Sequence, residues 1–135
     1  MSRGRWNAVV GAVVRGVAFE LVMMVSLGMV VAMSLIAMDR EYWLDTVTME
    51  LMGYTAWALA SLGGGYIAAR HGSENGNELR LGAAVGILSV CVSVLMSLGE
   101  VQGVASVVYA IEIICATGGG WIVRRKVRMA GDGLA

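Results

Sequence analysis

The sequence predicts an all-α integral membrane protein: a four-helix bundle of two helical hairpins, forming a single transmembrane domain over residues 1–135. Three observations predict it. Hydrophobic residues make up 58% of the chain and charged residues 15%, against about a quarter in typical soluble domains. Four long apolar stretches alternate with short polar segments, and each stretch approaches the ~20 residues that a helix needs to cross a bilayer. The basic residues fall almost entirely on one side of the four predicted spans.

The first span is predicted at about 16–38, with a helical lead-in from Ala8. The stretch is too long for a signal-peptide core and lacks a small-x-small cleavage site at its end. It contains the acid Glu20. If the span begins at residue 16, Glu20 lies just inside the cytoplasmic interface, within reach of Arg15 or Arg80. If the membrane segment begins near Ala8, Glu20 lies near mid-depth.

The second and third spans are predicted at about 50–69 and 79–98. An acidic segment, 39–50, precedes the second span and contains a Tyr-Trp pair typical of a membrane interface. The hydrophilic segment 71–78 separates the second span from the third.

The fourth span, about 104–123, contains a central carboxylate, Glu112, and is followed by the basic run RRKVR. An acid inside a membrane is costly and indicates a functional or packing role. Ser89 and Ser93 lie at the matching depth of the third span, and Tyr109 lies one turn away. We expect these three residues to hydrogen-bond Glu112. Because desolvation disfavours the charged form, we also expect its carboxyl to be neutral or to share a proton.

The distribution of basic residues predicts the orientation. Of the ten Lys and Arg residues, nine fall on the side that holds both termini, and Arg40 falls on the other. Cytoplasmic segments are enriched in Lys and Arg. We therefore predict a multi-pass protein of the cytoplasmic (inner) membrane with both termini in the cytoplasm. The nine residues are Arg3, Arg5, Arg15, Arg70, Arg80, Arg124, Arg125, Lys126 and Arg128.

Two segments repeat at an offset of 55 residues: GGGYIAAR at 63–70 and GGGWIVRR at 118–125. Tyr54 and Tyr109 match at the same offset. This predicts an internal duplication of two hairpins, 8–70 and 79–125. The alternative is that glycine-rich, aromatic and basic span ends are simply common in membrane helices.

Small residues recur at helical spacing along the second, third and fourth spans. Helices in a bilayer associate where small residues let their backbones approach. We therefore expect helix contacts at Ala60, Gly64, Gly82, Gly86 and Gly119.

The segment Gly64-Gly65-Tyr66-Ile67-Ala68-Ala69-Arg70 resembles a signature of a family of small bacterial four-span membrane proteins of unknown function. In that family a Gly-Gly-Tyr-x-Ala-x-Arg motif closes the second span. The resemblance implies four helices and a location in the cytoplasmic membrane. It implies no activity and no site residues, and Glu112 has no counterpart in it.

The sequence predicts no enzyme, metal or cofactor. A single histidine, His71, has no second ligand at a metal-binding spacing, and Cys91 and Cys115 form no CxxC or Cys/His pattern. No nucleophile is paired with a base, and neither glycine triplet is followed by the Gly-Lys-Ser/Thr of a phosphate-binding loop. We expect no nucleic-acid partner either, because topology accounts for the basic run.

The sequence favours a structural or accessory membrane protein, embedded in lipid, that self-associates as a homo-oligomer or binds a larger membrane protein. The alternative is a small proton-coupled transporter or channel that uses Glu112 or Glu20, because an intramembrane carboxylate can exchange a proton for a cation. Whether a small molecule or an ion is the substrate stays open.

Overall fold

The computed structural model describes residues 3–37, 47–72, 76–96 and 103–132, and these residues form four α-helices without a strand. The prediction of an all-α chain is confirmed for this part of the sequence. The helices are α1 (Arg3–Ala37), α2 (Val47–Gly72), α3 (Glu78–Met96) and α4 (Gly103–Asp132).

Three segments of the described residues are long and apolar enough to cross a membrane: Trp6–Ser34 in α1, Glu78–Leu95 in α3 and Ser106–Ala130 in α4. A location in a membrane therefore fits the structure. The predicted second span, 50–69 in α2, is not among the three. Its glycine triplet and its tyrosine and tryptophan side chains lower the hydropathy of that helix.

The helices extend beyond several of the predicted span limits. At ~1.5 Å per residue, the 35 residues of α1 measure ~52 Å, well over the ~30 Å of a hydrocarbon core. The fourth helix continues through the basic run to Asp132. Arg, Lys, Met and Ala all favour helix, and the chain contains no proline to end it. The predicted loop 39–50 lies outside the described residues except for 47–50, which begin α2.

A glycine shapes the start of α3. Gly76 has a φ of 80°, in the left-handed region that glycine adopts without steric cost. Asn77 follows it, and its carbonyl accepts the first helical hydrogen bond, from Leu81 N at 3.0 Å. The predicted hydrophilic connection is thus shorter than expected, because residues 71 and 72 still belong to α2.

The second helix is the centre of the assembly, because it contacts all three other helices. The third helix also contacts all the others, whereas α1 and α4 make no contact with each other over the described residues. The four helices therefore form a rhombus with α2 and α3 across its short diagonal.

Residue contacts define the helix directions. Along α1, Gly16 lies against Gly64 and Glu20 against Ser61, so α1 runs antiparallel to α2. Along α4, Tyr109 meets Trp57 of α2, and Ala116, further along α4, meets Gly65, further along α2. The second and fourth helices are therefore parallel, which is the arrangement expected of two successive hairpins.

One end of the bundle, here called the basic end, collects most of the described cations. The first and third helices begin there, and the second and fourth helices end there. The basic side chains that the structure describes at this end are Arg15, Arg70, Arg80, Arg124, Arg125, Lys126 and Arg128. The predicted exception, Arg40, lies outside the described residues.

Close backbone contacts hold the half of the bundle nearest the basic end. A side-chain carbon placed on Gly16 would lie 2.7 Å from the Gly64 carbonyl oxygen, and one placed on Gly65 would overlap the backbone of Ala116. Only glycine permits such approaches. The residues predicted at helix contacts are all buried: Ala60, Gly64, Gly82, Gly86 and Gly119.

Much of the apolar surface faces outward. In an 18-residue apolar window of the candidate span of α1, only 17% of the residues are buried inside the bundle. Large side chains such as Val22, Met29 and Met33 are more than half exposed. Soluble monomers rarely present so continuous an apolar face, and such a face indicates contact with lipid or with another protein.

Candidate functional site

Two acidic side chains lie inside the bundle. Glu20 of α1 is fully buried, and Glu112 of α4 is 2% exposed. Although α1 and α4 do not touch over the described residues, these two carboxyl groups act electrostatically on each other. The two buried acids, Glu20 and Glu112, therefore belong to one site.

Two serines complete the site. Ser61 of α2 is fully buried and Ser89 of α3 is 3% exposed, and both lie beside the carboxyl groups. We call Glu20, Ser61, Ser89 and Glu112 the acid–serine cluster. Each of the four helices contributes one of its members, so the cluster exists only when the whole bundle is assembled.

The Ser61 hydroxyl has two hydrogen-bond acceptors and only one proton. It donates a short hydrogen bond to Glu20 Oε1, and it also lies 3.0 Å from the main-chain carbonyl oxygen of Trp57. A carbonyl can only accept. When Glu20 is ionised, the Ser61 hydroxyl donates to it. When Glu20 is protonated, it can donate to the Ser61 oxygen, and the Ser61 hydroxyl can donate to the Trp57 carbonyl. Ser61 can therefore hydrogen-bond either protonation state of Glu20.

Three of the four carboxyl oxygens in the pair have no hydrogen bond of close geometry among the described residues: Glu20 Oε2 and both oxygens of Glu112. Ser89, Trp57 and the other carboxyl of the pair lie beside them. No Lys, Arg or His of the described chain is among the groups that act on either carboxyl. A buried ionised carboxylate without a partner costs several kcal/mol. The cluster is consequently suited to holding a proton or a cation.

A cavity of about 320 Å³ lies between α2 and α4, and Glu112 is among its lining residues. Tyr54 and Trp57 line one side of it, and Val108 and Ile111 line the other. The Trp57 ring also meets the Tyr109 ring edge-to-face, with centroids 6.5 Å apart. Glu112 thus belongs both to the acid–serine cluster and to the lining of an aromatic cavity.

Ser89 lies beside the Glu112 carboxyl and acts on it as a hydrogen-bonding group, as the matching depth predicted. Among the described residues, no hydrogen bond of close geometry joins Ser89, Ser93 or Tyr109 to either Glu112 oxygen. Ser93 is half-buried and interacts elsewhere. Tyr109 packs its ring against Trp57.

The prediction that Arg15 or Arg80 reaches Glu20 is wrong. Both arginines are exposed, and neither is among the groups that act on that carboxyl. Glu20 instead lies level with Ser89, which is eleven residues, or ~16 Å, from the start of α3. That is about half the thickness of a hydrocarbon core, so the mid-depth alternative fits the structure.

Sequence reasoning missed Ser61 and the cavity-lining role of Tyr54. A signal for Ser61 was present, because Ser61, Gly65, Ala68 and Gly72 follow one another at spacings of four, three and four residues. A serine in such a small-residue stripe faces a helix contact. Glu78 was also not singled out, and it is 5% exposed. It begins α3, where the helix dipole favours an acid.

No protein-family model matches this chain, and no curated protein or solved structure is similar to it. The resemblance to small four-span membrane proteins therefore stays a prediction. Within the described residues, no group of three or more His, Cys, Asp or Glu side chains is arranged to hold a metal ion. The function must be argued from the acid–serine cluster and the cavity beside it.

Proposed function

We propose that this chain is a small proton-coupled membrane transporter or channel in which Glu20 and Glu112 form the proton-binding site. One observation carries the proposal: the two acids are buried together, and no basic side chain of the described residues neutralises them. A carboxyl pair that served only to hold helices together would be expected to use its hydrogen-bonding oxygens, and three of them have no hydrogen bond of close geometry there.

The physical argument concerns charge. Two carboxylates sharing one apolar site repel each other, and burial disfavours their charged forms, so the pair retains at least one proton. The titration then belongs to the pair rather than to either residue. A site that gains or loses one proton near mid-membrane is the element that proton-coupled transport requires.

Proton flux in proteoliposomes tests this proposal. A pH-sensitive dye trapped inside would report proton movement driven by an imposed membrane potential, first without and then with organic cations outside. We expect flux above that of protein-free vesicles, and loss of that flux in Glu112→Gln. Glu78→Gln is the matched control, because Glu78 is a buried acid outside the acid–serine cluster. Flux equal to that of empty vesicles under both conditions would contradict the proposal.

A structural or accessory role is the second candidate, and the exposed apolar surface of α1 favours it. The other three helices leave most of that surface exposed, and it could contact a second copy of the chain or a larger membrane partner as well as lipid. Native mass spectrometry after extraction into nanodiscs would discriminate. A stoichiometric complex with one larger membrane protein would favour the accessory role, and a self-contained monomer or homo-oligomer would favour the transporter.

We also propose a four-span topology in the cytoplasmic membrane with both termini in the cytoplasm. The support is the basic end, where the starts of α1 and α3 meet the ends of α2 and α4. This topology requires α2 to cross the membrane, shielded by the other three helices. Reporter fusions at the two termini would test it, and an extracytoplasmic signal from either would refute it.

The proposed duplication rests on the repeated glycine triplets. Both triplets lie at helix contacts, but with different partners: Gly64 faces α1 and Gly65 faces α4, whereas Gly119 faces α2 and Gly120 faces α3. We therefore propose two duplicated hairpins whose packing has diverged, so that one acid came to lie in α1 and the other in α4.

A further inference from the structure

We infer that the cavity between α2 and α4 binds an organic cation, an ammonium group with an apolar substituent, whose charge pairs with Glu112. The inference rests on the proposed function and names its substrate class. It draws on three features of the described residues: the size and lining of the cavity, the buried carboxyl among its lining residues, and the aromatic rings beside that carboxyl.

The cavity has the size and surface of a small-molecule site. Its volume of about 320 Å³ lies at the lower end of the ~300–1,000 Å³ typical of ligand pockets. Apart from the carboxyl, its walls are apolar or aromatic. The residues that determine this character are Tyr54, Trp57, Ala58, Val108, Ile111 and Glu112.

The carboxyl of Glu112 indicates the charge of the ligand. It is the charged group among the lining residues and is 2% exposed. Ser89, Trp57 and Glu20 lie beside it, but within the described chain neither of its oxygens has a hydrogen bond of close geometry. An anion in this cavity would be repelled by the ionised carboxyl, and a neutral apolar ligand would leave that ionised form without a counter-charge. A cation supplies the counter-charge.

The aromatic rings strengthen this assignment. Trp57 and Tyr54 line the cavity, and Tyr109 packs against Trp57 on the side of α4. Cations are attracted to the faces of such rings, most strongly to tryptophan and more so where water is excluded. An ammonium ion with apolar substituents would satisfy the carboxyl, the rings and the apolar walls together.

Binding of the cation would release a proton from the site. Where Glu112 itself is protonated, an ammonium ion entering beside it stabilises the ionised carboxylate, and the Glu112 proton leaves to water. One positive charge then replaces another, so the net charge of the site does not change. Glu112 therefore cannot hold its proton and the cation together, which is the condition for coupled transport in opposite directions.

Benzyltrimethylammonium is a suitable probe, because its quaternary nitrogen has no proton to lose. Any pH dependence of its binding then reports titration of the protein. Isothermal titration calorimetry on the full chain in nanodiscs would measure the affinity. We expect affinity to rise with pH, by about tenfold per unit where the pair is protonated, and to fall at least about tenfold in Glu112→Gln. Glu78→Gln should bind as the wild type does.

A second variant protects the test against misfolding. Trp57→Leu keeps an apolar side chain but removes the ring, and it should weaken binding by roughly fivefold, within the range of cation–π interactions. Absence of binding to wild type, or equal affinity in Glu112→Gln, would overturn the inference. So would native mass spectra in which a lipid or a partner chain occupies the site and blocks the probe.

The results separate the inference from the proposed function. Proton flux without cation binding would overturn the substrate assignment alone. Binding that depends on Glu112 but not on pH would support the cavity and contradict proton coupling.

Discussion

The two halves of the bundle are packed differently. Towards the basic end, Gly16 and Gly64 bring α1 and α2 into backbone contact, and Gly65 and Gly119 do the same for α2 and α4. Towards the opposite end, the described glycines Gly28 and Gly53 are exposed and make no such contact. The aromatic cavity lies there, between α2 and α4.

The acid–serine cluster lies at the boundary between these halves. Glu20 packs against Gly64 on the closed side, while Glu112 lines the cavity on the open side. Close glycine packing excludes water and fixes the helices, and the looser half gives the carboxyl an approach. The close helix contacts and the access to Glu112 therefore lie at different positions along the bundle axis.

The largest effect is expected where the closed half is most crowded. Gly65→Val would place a branched side chain into the backbone of Ala116, and such overpacking costs ~3 kcal/mol or more. Gly118→Val is the matched control, because a carbon there meets nothing within 4 Å. Thermal unfolding in detergent should show a strong loss of stability for the first variant only. Equal losses would mean that the close contact is not real.

A smaller effect is expected at the boundary itself. Ser61→Ala removes the hydroxyl that donates to the buried Glu20, and leaving that carboxyl without a partner costs ~1–3 kcal/mol. Ser34→Ala removes an exposed hydroxyl that bonds only its own helix, at Val30 O, and should change stability by less than ~0.5 kcal/mol. Similar unfolding temperatures for both variants would argue against the role of Ser61.

The smallest change gives the sharpest comparison, because one substitution should have opposite signs at an exposed glycine and at a contact glycine. Gly53→Ala enters open space and should stabilise the helix by up to ~1 kcal/mol. Gly64→Ala would place its carbon 2.8 Å from the Gly16 carbonyl oxygen and should destabilise the bundle. Paired unfolding curves would measure both, and shifts of the same sign would contradict the close contact at Gly64.

Much of the architecture was predictable from residue type and spacing. The apolar stretches predict helices, and the stripe that contains Ala60 and Gly64 predicts the inner face of α2. Counting residues from the connection between α3 and α4 placed Ser89 level with Glu112, because helices adjacent in sequence pack as a hairpin. Both inferences need only local periodicity and chain connectivity.

The pairing of Glu20 with Glu112 was beyond such reasoning. Their helices do not pack on each other over the described residues, so the two carboxyls meet only when all four helices are assembled around them. Helix order around a bundle depends on many weak side-chain contacts and leaves no periodic signal. For the same reason, the expected arginine partners of Glu20 were misplaced.

The most direct test of the account is infrared difference spectroscopy of the protein in nanodiscs between acidic and alkaline pH. A protonated carboxylic acid in an apolar site has a C=O stretching band that its carboxylate lacks. We predict that this band is present at acidic pH and is lost at alkaline pH. It should be absent at every pH in the Glu20→Gln, Glu112→Gln double variant and unchanged in the control variant Glu78→Gln. An unchanged band in the double variant would show that the proton resides elsewhere and would contradict the proposed proton site.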